Sequence, residues 1–264
     1  MDLPLLASDS MSEFSRAEQS HPRLFFKAED SQIFPARVDS DSVMAEFARY
    51  VIEVADSVFP QPPLKRELEG RRLLGVSRQC LRRLMYLSMA YRLTGRDVYA
   101  SRAESEMLAV AGFENWNPDH FLDVAEMTAG MAIGYDWCYD ALEEVSRGKI
   151  RDAIIQLGLK TSVDEDMWWL SYPNNWNQVC HGGLVLGALS VFEDTPEISS
   201  KIISRAFRNV DNGLGMYAPD GAYPEGPGYW AYGTSYSVMM MSALESALGA
   251  DFDLPRAPGF SRVG

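Results

Sequence analysis

Residues 73–95 read LLGVSRQCLRRLMYLSMAYRLTG, and this pattern decides the fold class. Apolar side chains recur at steps of three and four, from Leu73 through Leu84 to Tyr91, which places them on one face of an α-helix. Gly95 follows the last of them and predicts the end of that helix, because glycine readily adopts the left-handed conformation of a C-cap.

The same helical periodicity covers most of the chain beyond this stretch. No segment alternates strongly enough between apolar and polar residues to predict a half-buried strand. Residues 184–189 and 238–244 are apolar over a wide arc, which indicates helices packed on more than one side. The sequence therefore predicts roughly seven to nine helices in an all-α fold, an incomplete α/α toroid (α/α barrel) of antiparallel helical hairpins.

Composition and punctuation divide the chain into three parts. Residues 1–20 lack periodicity and predict a poorly ordered N-terminal segment. Residues 21–250 carry the helical pattern. Residues 251–264 contain two prolines and lose it, so we expect either a linker or the start of a further C-terminal domain there.

Charge and composition exclude several classes of function. The chain has 264 residues, 47% of them hydrophobic, and a formal net charge of −13, so it carries no electrostatic footprint for nucleic acid. It has no apolar run that predicts a membrane span and no signal-peptide pattern. The cysteines Cys80, Cys138 and Cys180 lie in apolar contexts without the spacing of a disulfide framework or a zinc site, so we expect buried free thiols. No metal motif is visible, and the sequence calls for no cofactor in this domain.

The segment YPEGPGYWAYGT, residues 223–234, has an unusual composition for a turn. Glycine and proline let a loop hold one shape and approach a ligand closely, while tyrosine offers an apolar ring and a hydroxyl that can transfer a proton. Tyr229 follows Gly-Pro-Gly and shares a predicted helix face with Tyr232, so it is a candidate catalytic residue. Tyr223, Glu225 and Tyr232 are candidate substrate-binding residues; a core-facing aromatic stripe is the alternative.

The segment NNWNQVCHGG, residues 174–183, gathers carboxamides at a predicted helix start. Carboxamides both donate and accept hydrogen bonds, which suits a hydroxyl-rich ligand or a carboxylate. Candidate catalytic residues are Asn175, Asn177 and His181, which lies four residues after Asn177. The candidate substrate-binding residues are Asn174, Trp176 and Gln178. A capped helix with a hydrogen-bonded core histidine is the structural alternative.

The acidic residues suggest a separate hypothesis for the function. Asp136 and Asp140 are four residues apart and share a predicted helix face, and Glu126 lies upstream. Paired carboxylates serve glycoside hydrolysis, but pairing with arginines or simple solvation is the favoured interpretation of these residues.

Four segments together resemble the heparinase II/III-like polysaccharide lyases and their alginate-lyase relatives. They are HPRLFFKAE at residues 21–29, AEMT to IGYDW at residues 125–137, and the two site segments at residues 174–183 and 220–232. The resemblance spans nearly all of residues 21–250 and is most specific in the last two segments. It implies an N-terminal α/α toroid followed by a C-terminal β-sandwich domain, in a periplasmic or secreted enzyme that cleaves uronate-containing polysaccharides by β-elimination.

The resemblance also implies roles for individual residues. Asn175 or Asn177 would neutralise the uronate carboxylate, and Tyr229 would act as base, acid or both. His181 would be its partner, although several relatives carry histidine directly after the key asparagine, where this chain has Trp176 or Gln178. A second histidine is expected from the β-sandwich domain, so these 264 residues could be inactive on their own, and a metal in that domain stays open.

Two other functions remain open at this point. One is an α/α-barrel glycoside hydrolase that uses carboxylates such as Asp136 or Glu225. The other is a non-catalytic carbohydrate-binding or scaffold domain. In each case the expected partner is an acidic polysaccharide or oligosaccharide, with no nucleic acid and no membrane insertion.

Overall fold

The computed structural model describes residues 20–163 and 167–262, and within them the chain forms helices and no strand. The all-α prediction is therefore confirmed for this part of the chain, whereas the predicted N-terminal segment falls almost entirely outside it. In the described ranges, nine helices have ten residues or more, and a tenth helix is a single turn. In chain order they are α1 (Ala28–Ser40), α2 (Ser42–Asp56), α3 (Leu74–Thr94), α4 (Asp97–Ala111), α5 (Phe121–Cys138), α6 (Glu144–Ala153), α7 (Asn175–Ser190), α8 (Pro196–Asn209), α9 (Asp211–Leu214) and α10 (Pro227–Leu248).

The helix ends follow local chemistry that the sequence displays. Gly95 and Gly249 terminate α3 and α10 in the left-handed conformation, with φ of 64° and 76°. The Asn174 side chain caps α7 by accepting a hydrogen bond from the Trp176 backbone N–H at 3.0 Å. Pro196 occupies the first position of α8, where its missing N–H costs nothing.

Helices α3, α5, α7 and α10 pack side by side in that order and run parallel to one another. Their close approach depends on small residues. A Cβ on Gly130 of α5 would lie 2.8 Å from the backbone of Leu81 in α3, and a Cβ on Gly182 of α7 would lie 2.8 Å from the Tyr236 carbonyl oxygen of α10. Further along, the Cys138 thiol of α5 donates to the Ser88 hydroxyl of α3 at 3.3 Å. The contacts advance in the same direction along both partners, from Gly130 and Leu81 to Cys138 and Ser88, so the N-termini lie at the same end of the molecule.

The helices between these four run in the opposite direction. Helix α4 folds back along α3, so the Arg83 guanidinium meets the buried Glu106 carboxylate at 2.7 Å. Helices α6 and α8 make the other return connections, and all eighteen residues of α5 are buried. This alternation agrees with the predicted antiparallel hairpins, while closure into a toroid stays a prediction.

The segment after α10 packs against the helical body. Leu254 and Phe260 are buried, and the Phe260 ring lies 5.0 Å from the Tyr217 ring, edge to face. These two side chains extend the core, whereas the linker or domain start expected at residues 251–264 stays a prediction. A following β-sandwich domain stays a prediction.

Two composition-based expectations can be compared with the structure. Cys80, Cys138 and Cys180 are buried free thiols, as predicted. Over the described ranges, no helix combines the length and apolar character needed to cross a membrane.

Candidate functional site

A cleft of about 370 Å³ opens where the N-terminal ends of the parallel helices meet. It draws side chains from three of them: Arg78 and Leu81 of α3, Glu126 of α5, and Gly228, Tyr229, Tyr232 and Tyr236 of α10. The three tyrosines share one face of α10, as their spacing predicts. The positive ends of the helix dipoles also lie at this end, which favours a negatively charged ligand.

A three-residue cluster forms one wall of the cleft. The Tyr232 hydroxyl donates a short hydrogen bond to the Glu126 carboxylate, and the Arg78 Nε lies 3.3 Å from the same carboxylate oxygen. The Arg78 guanidinium also lies 5.2 Å from the centroid of the Tyr232 ring. These contacts hold Arg78 at the mouth of the cleft, where its side chain is 55% exposed.

The environment sets the charge of each member of this cluster. Burial raises the pKa of Glu126, although its hydrogen bonds to Tyr232 and Arg78 oppose the shift. Burial and the Glu126 charge raise the pKa of Tyr232, which keeps the phenol protonated. Burial lowers the pKa of Arg78, but Glu126 and Tyr232 raise it by more, so the guanidinium stays charged.

Tyr229 is the accessible tyrosine of the cleft. Its side chain is 52% exposed, and its hydroxyl makes no hydrogen bond to any residue in the described ranges. It stands in the first turn of α10, which begins at Pro227 after Gly226, whose φ of 90° suits glycine.

Tyr236 lines the deep side of the cleft, and its hydroxyl group donates no hydrogen bond to a described residue. The residue is 3% exposed, and its hydroxyl has no hydrogen-bond partner among the described residues. Burial, followed by the charge of Glu126, raises its pKa well above the ordinary value. A buried hydroxyl without a partner is uncommon, and a polar ligand or a bound water would match it.

Asn175 meets Glu225 at the same end of the molecule. The Glu225 carboxylate accepts from the Asn175 backbone N–H at 2.8 Å and from its amide nitrogen at 2.9 and 3.0 Å. The amide nitrogen is thus directed at Glu225, while the buried amide oxygen has no partner among the described residues. Glu225 orients Asn175 and connects the loop before α10 to the start of α7.

The remaining predicted carboxamides lie in the interior. The Asn177 amide donates to the Leu170 carbonyl at 2.7 Å and accepts from the Gly213 N–H at 3.2 Å. Gln178 accepts from the Tyr223 hydroxyl at 2.9 Å, and its own amide donates to Tyr217 and Ser237. Asn177, Gln178 and Tyr223 are all buried, so their polar groups hold α7 to its neighbours.

His181 is also enclosed by protein groups. It is 1% exposed, its Nε2 lies 3.5 Å from the Leu170 carbonyl oxygen, and the Trp169 ring meets it edge to face at 5.2 Å. Burial and the Arg205 charge lower the pKa of His181 to about 3, which keeps the imidazole neutral. The structure places neither His181 nor Asn177 among the residues that line the tyrosine cleft.

An aromatic cluster lies beside the N-terminus of α7. The Trp176 ring contacts the His120 ring at 4.9 Å and the Trp168 ring at 4.8 Å, and Trp168 in turn contacts Tyr172 at 5.4 Å. Trp168 and Tyr172 are 54% and 52% exposed. Exposed aromatic faces next to amides and carboxylates suit the apolar face of a sugar ring. Only Trp176 of this cluster was predicted from the sequence.

The acidic pair predicted from helix spacing does not form a site. Asp136 is fully buried and accepts from the backbone N–H groups of Arg23 and Leu24 and from His21. Asp140 instead pairs with Arg92 at 2.7 Å. Both carboxylates lie at the C-terminal end of α5, away from the tyrosine cleft, so a hydrolase built on Asp136 is not supported.

No group of three or more histidine, cysteine, aspartate or glutamate side chains in the described ranges could hold a metal ion. No protein-family model matches the chain, and no curated protein matches it.

Proposed function

We propose that this protein is a polysaccharide lyase domain that binds a uronate-containing chain and cleaves it by β-elimination. The observation that carries the proposal is the exposed Tyr229 phenol beside the Arg78 guanidinium in a cleft at the helix N-termini. The aromatic cluster around Trp168 supports a sugar ligand, and the cationic, dipole-rich setting supports an acidic one.

Each step of the elimination has a group suited to it. The Arg78 guanidinium pairs with the uronate carboxylate, which makes the C5 proton more acidic. The Tyr229 phenolate removes that proton, the C5–H electron pair forms the C4–C5 double bond, and the C4–O4 bond breaks. The Tyr229 phenol then returns the proton to the departing O4 oxygen.

In this proposal Arg78 neutralises the uronate carboxylate, a role that the resemblance gave to Asn175 or Asn177. The Asn175 amide nitrogen is directed at Glu225, so in this arrangement it is not aimed at a substrate carboxylate. Glu126 and Tyr232 act as positioning residues, because they fix Arg78 by a hydrogen bond and a ring contact. Tyr229 keeps the role implied by the resemblance.

A glycoside hydrolase is the second candidate, with Glu126 as its carboxylate in place of Asp136 or Glu225. Glu126 lines the cleft, is 1% exposed, and has a raised pKa, which are the properties of a general acid in glycoside hydrolysis. Its hydrogen bond from Tyr232 and its contact with Arg78 favour the positioning role instead.

The two reactions leave different products, so one assay separates them. The purified protein is incubated with a panel of glycuronans while ultraviolet absorbance and new reducing ends are measured together. A lyase raises both signals, because elimination creates a conjugated double bond. Reducing ends without absorbance would overturn the lyase proposal in favour of hydrolysis, and binding without either signal would favour a non-catalytic sugar-binding domain.

A further inference from the structure

A second groove continues from the tyrosine cleft along the start of α3. It has a volume of about 590 Å³ and shares Arg78 with the cleft. Its lining residues are Glu69, Arg71, Arg72, Leu74, Gly75 and Arg78. Three guanidinium groups therefore line one groove of a chain whose net charge is −13.

Arg71 and Arg72 differ from the ion-paired arginines of this protein. Both are exposed, and neither forms an ion pair with any residue in the described ranges. By contrast, Arg83, Arg92 and Arg102 each contact a carboxylate at 2.7 Å or less. Two adjacent arginines without protein counter-ions provide charge for a ligand.

The turn that presents these arginines is held firmly. Glu69 and Arg72 exchange backbone hydrogen bonds of 2.8 and 3.2 Å, and the Asn117 amide donates to the Arg71 carbonyl at 3.0 Å. The Leu73 N–H donates to the buried Asp123 carboxylate at 2.6 Å. A fixed backbone lowers the entropy lost when the side chains bind, which is the requirement for a preorganised site.

We propose that the groove at Arg71 and Arg72 binds a carboxylate-bearing sugar unit next to the unit held at Tyr229. The inference rests on the proposed function, because the chain that crosses Arg78 is the substrate of the tyrosine cleft. Arg78 then lies between two neighbouring acidic units, and Arg71 and Arg72 engage the outer one. The substrate is accordingly an acidic chain longer than a disaccharide, and the outer unit contributes affinity rather than chemistry.

The test compares two double variants of the full chain by titration calorimetry and by the absorbance assay. Arg71→Ala/Arg72→Ala removes the groove charges, and Arg37→Ala/Arg49→Ala removes the same charge from exposed positions on α1 and α2. The ligands are a glucuronan tetrasaccharide, the disaccharide, and the tetrasaccharide with its carboxyl groups reduced. We expect the groove variant to bind the acidic tetrasaccharide about tenfold more weakly, with a smaller salt dependence, and to bind the disaccharide normally.

The outcomes separate this inference from the lyase proposal. Unsaturated product with an unchanged KM for the tetrasaccharide in the groove variant would overturn the groove and leave the lyase intact. Selective loss of tetrasaccharide binding without any unsaturated product would support the groove and overturn the lyase. Equal loss in both double variants, equal binding of the carboxyl-reduced ligand, or no binding of any ligand by the wild-type protein would overturn the groove.

Discussion

Ionisable side chains cluster at both ends of α3, α5, α7 and α10. The cluster at the N-terminal ends includes exposed groups that have no hydrogen-bond or ion-pair partner in the described ranges. At the C-terminal ends, Asp136 accepts three hydrogen bonds from His21 and the Arg23 and Leu24 backbone, and Arg23 contacts Glu193 at 2.7 Å. At the N-terminal ends, Tyr229, Arg71 and Arg72 are exposed without protein partners in the described ranges. The same residue types therefore serve the fold where their bonds are satisfied and can serve a ligand where they are not.

Glu193 completes the cluster at the C-terminal ends through its contacts with His21 and Arg23. Burial raises the pKa of this carboxyl, but hydrogen bonds from His21 and Arg23 lower it by more, to about 2. The cluster connects the segment before α1 to the ends of α5 and α7. Its hydrogen bonds and ion pair are made within the protein, so residues 21–24 have a structural role here.

The largest effect is expected for a variant that removes Asp136 from the cluster at the C-terminal ends of the helices. Asp136→Ala leaves two buried N–H groups and His21 without their acceptor, so we expect it to lower the free energy of unfolding by about 3 kcal/mol. Chemical denaturation measures this loss. Asp140→Ala is the matched control, because Asp140 is 53% exposed and its pair with Arg92 should contribute less than about 1 kcal/mol. Equal effects of the two variants would contradict the structural role of the cluster.

The next prediction concerns the opposite end. Arg78→Ala should lower kcat/KM on a glycuronan about 100-fold, because it removes the charge that stabilises the developing carbanion. Arg78→Lys should restore part of the rate, and the thermal midpoint should change little in either variant because the side chain is half exposed. A variant that loses stability but keeps its rate would assign Arg78 to the fold instead.

A third prediction tests the buried histidine through pH. The folded pKa of His181 is lowered to about 3 from an ordinary 6.5, so the unfolded chain takes up this proton first as pH falls. The contribution of the neutral imidazole to the free energy of unfolding is complete above the unfolded pKa. Below that pKa it declines by up to about 1.4 kcal/mol per pH unit, until the folded pKa is reached. Denaturation curves of His181→Gln between pH 7 and 4 should show a flatter decline than the wild type. An unchanged pH dependence with lost activity would favour the catalytic role implied by the resemblance.

The smallest expected effect concerns the aromatic cluster. Trp168→Ala should weaken oligosaccharide binding by about 1 kcal/mol and leave the thermal midpoint unchanged, because the ring is exposed and offers a face for stacking. Calorimetric titration measures the first and thermal unfolding the second. Trp169→Ala is the contrasting variant: its ring is 1% exposed, so we expect a loss of stability of about 3 kcal/mol. Unchanged sugar affinity in Trp168→Ala would remove the cluster from the proposed site.

Local features of the fold were readable from the sequence because their signals are local. The glycines that end α3 and α10, the cap at Asn174, and the tyrosine face of α10 each depend on residues a few positions apart. The charged groups of the cleft were not readable in this way. Arg78 meets Glu126 across 48 residues and Tyr232 meets Glu126 across 106, and a single sequence does not show how two helices align.

The carboxamides show the limit of reading function from composition. The side chains of a helix that is buried on all sides have little access to water. Asn177 and Gln178 therefore form their hydrogen bonds with neighbouring segments. Two signals in the sequence mark the groove and the aromatic cluster. They are the Arg71–Arg72 pair after Gly70 in an acidic chain, and the adjacent Trp168 and Trp169 just before the asparagines.

The most direct measurement compares wild-type protein and Tyr229→Phe on one glycuronan, by initial rates of absorbance at the band of the unsaturated product. We expect a steady rise for the wild type and a loss of at least about 100-fold in the variant, with unchanged thermal unfolding. A variant that forms unsaturated product at the wild-type rate would contradict the central role of Tyr229 and of the cleft around it.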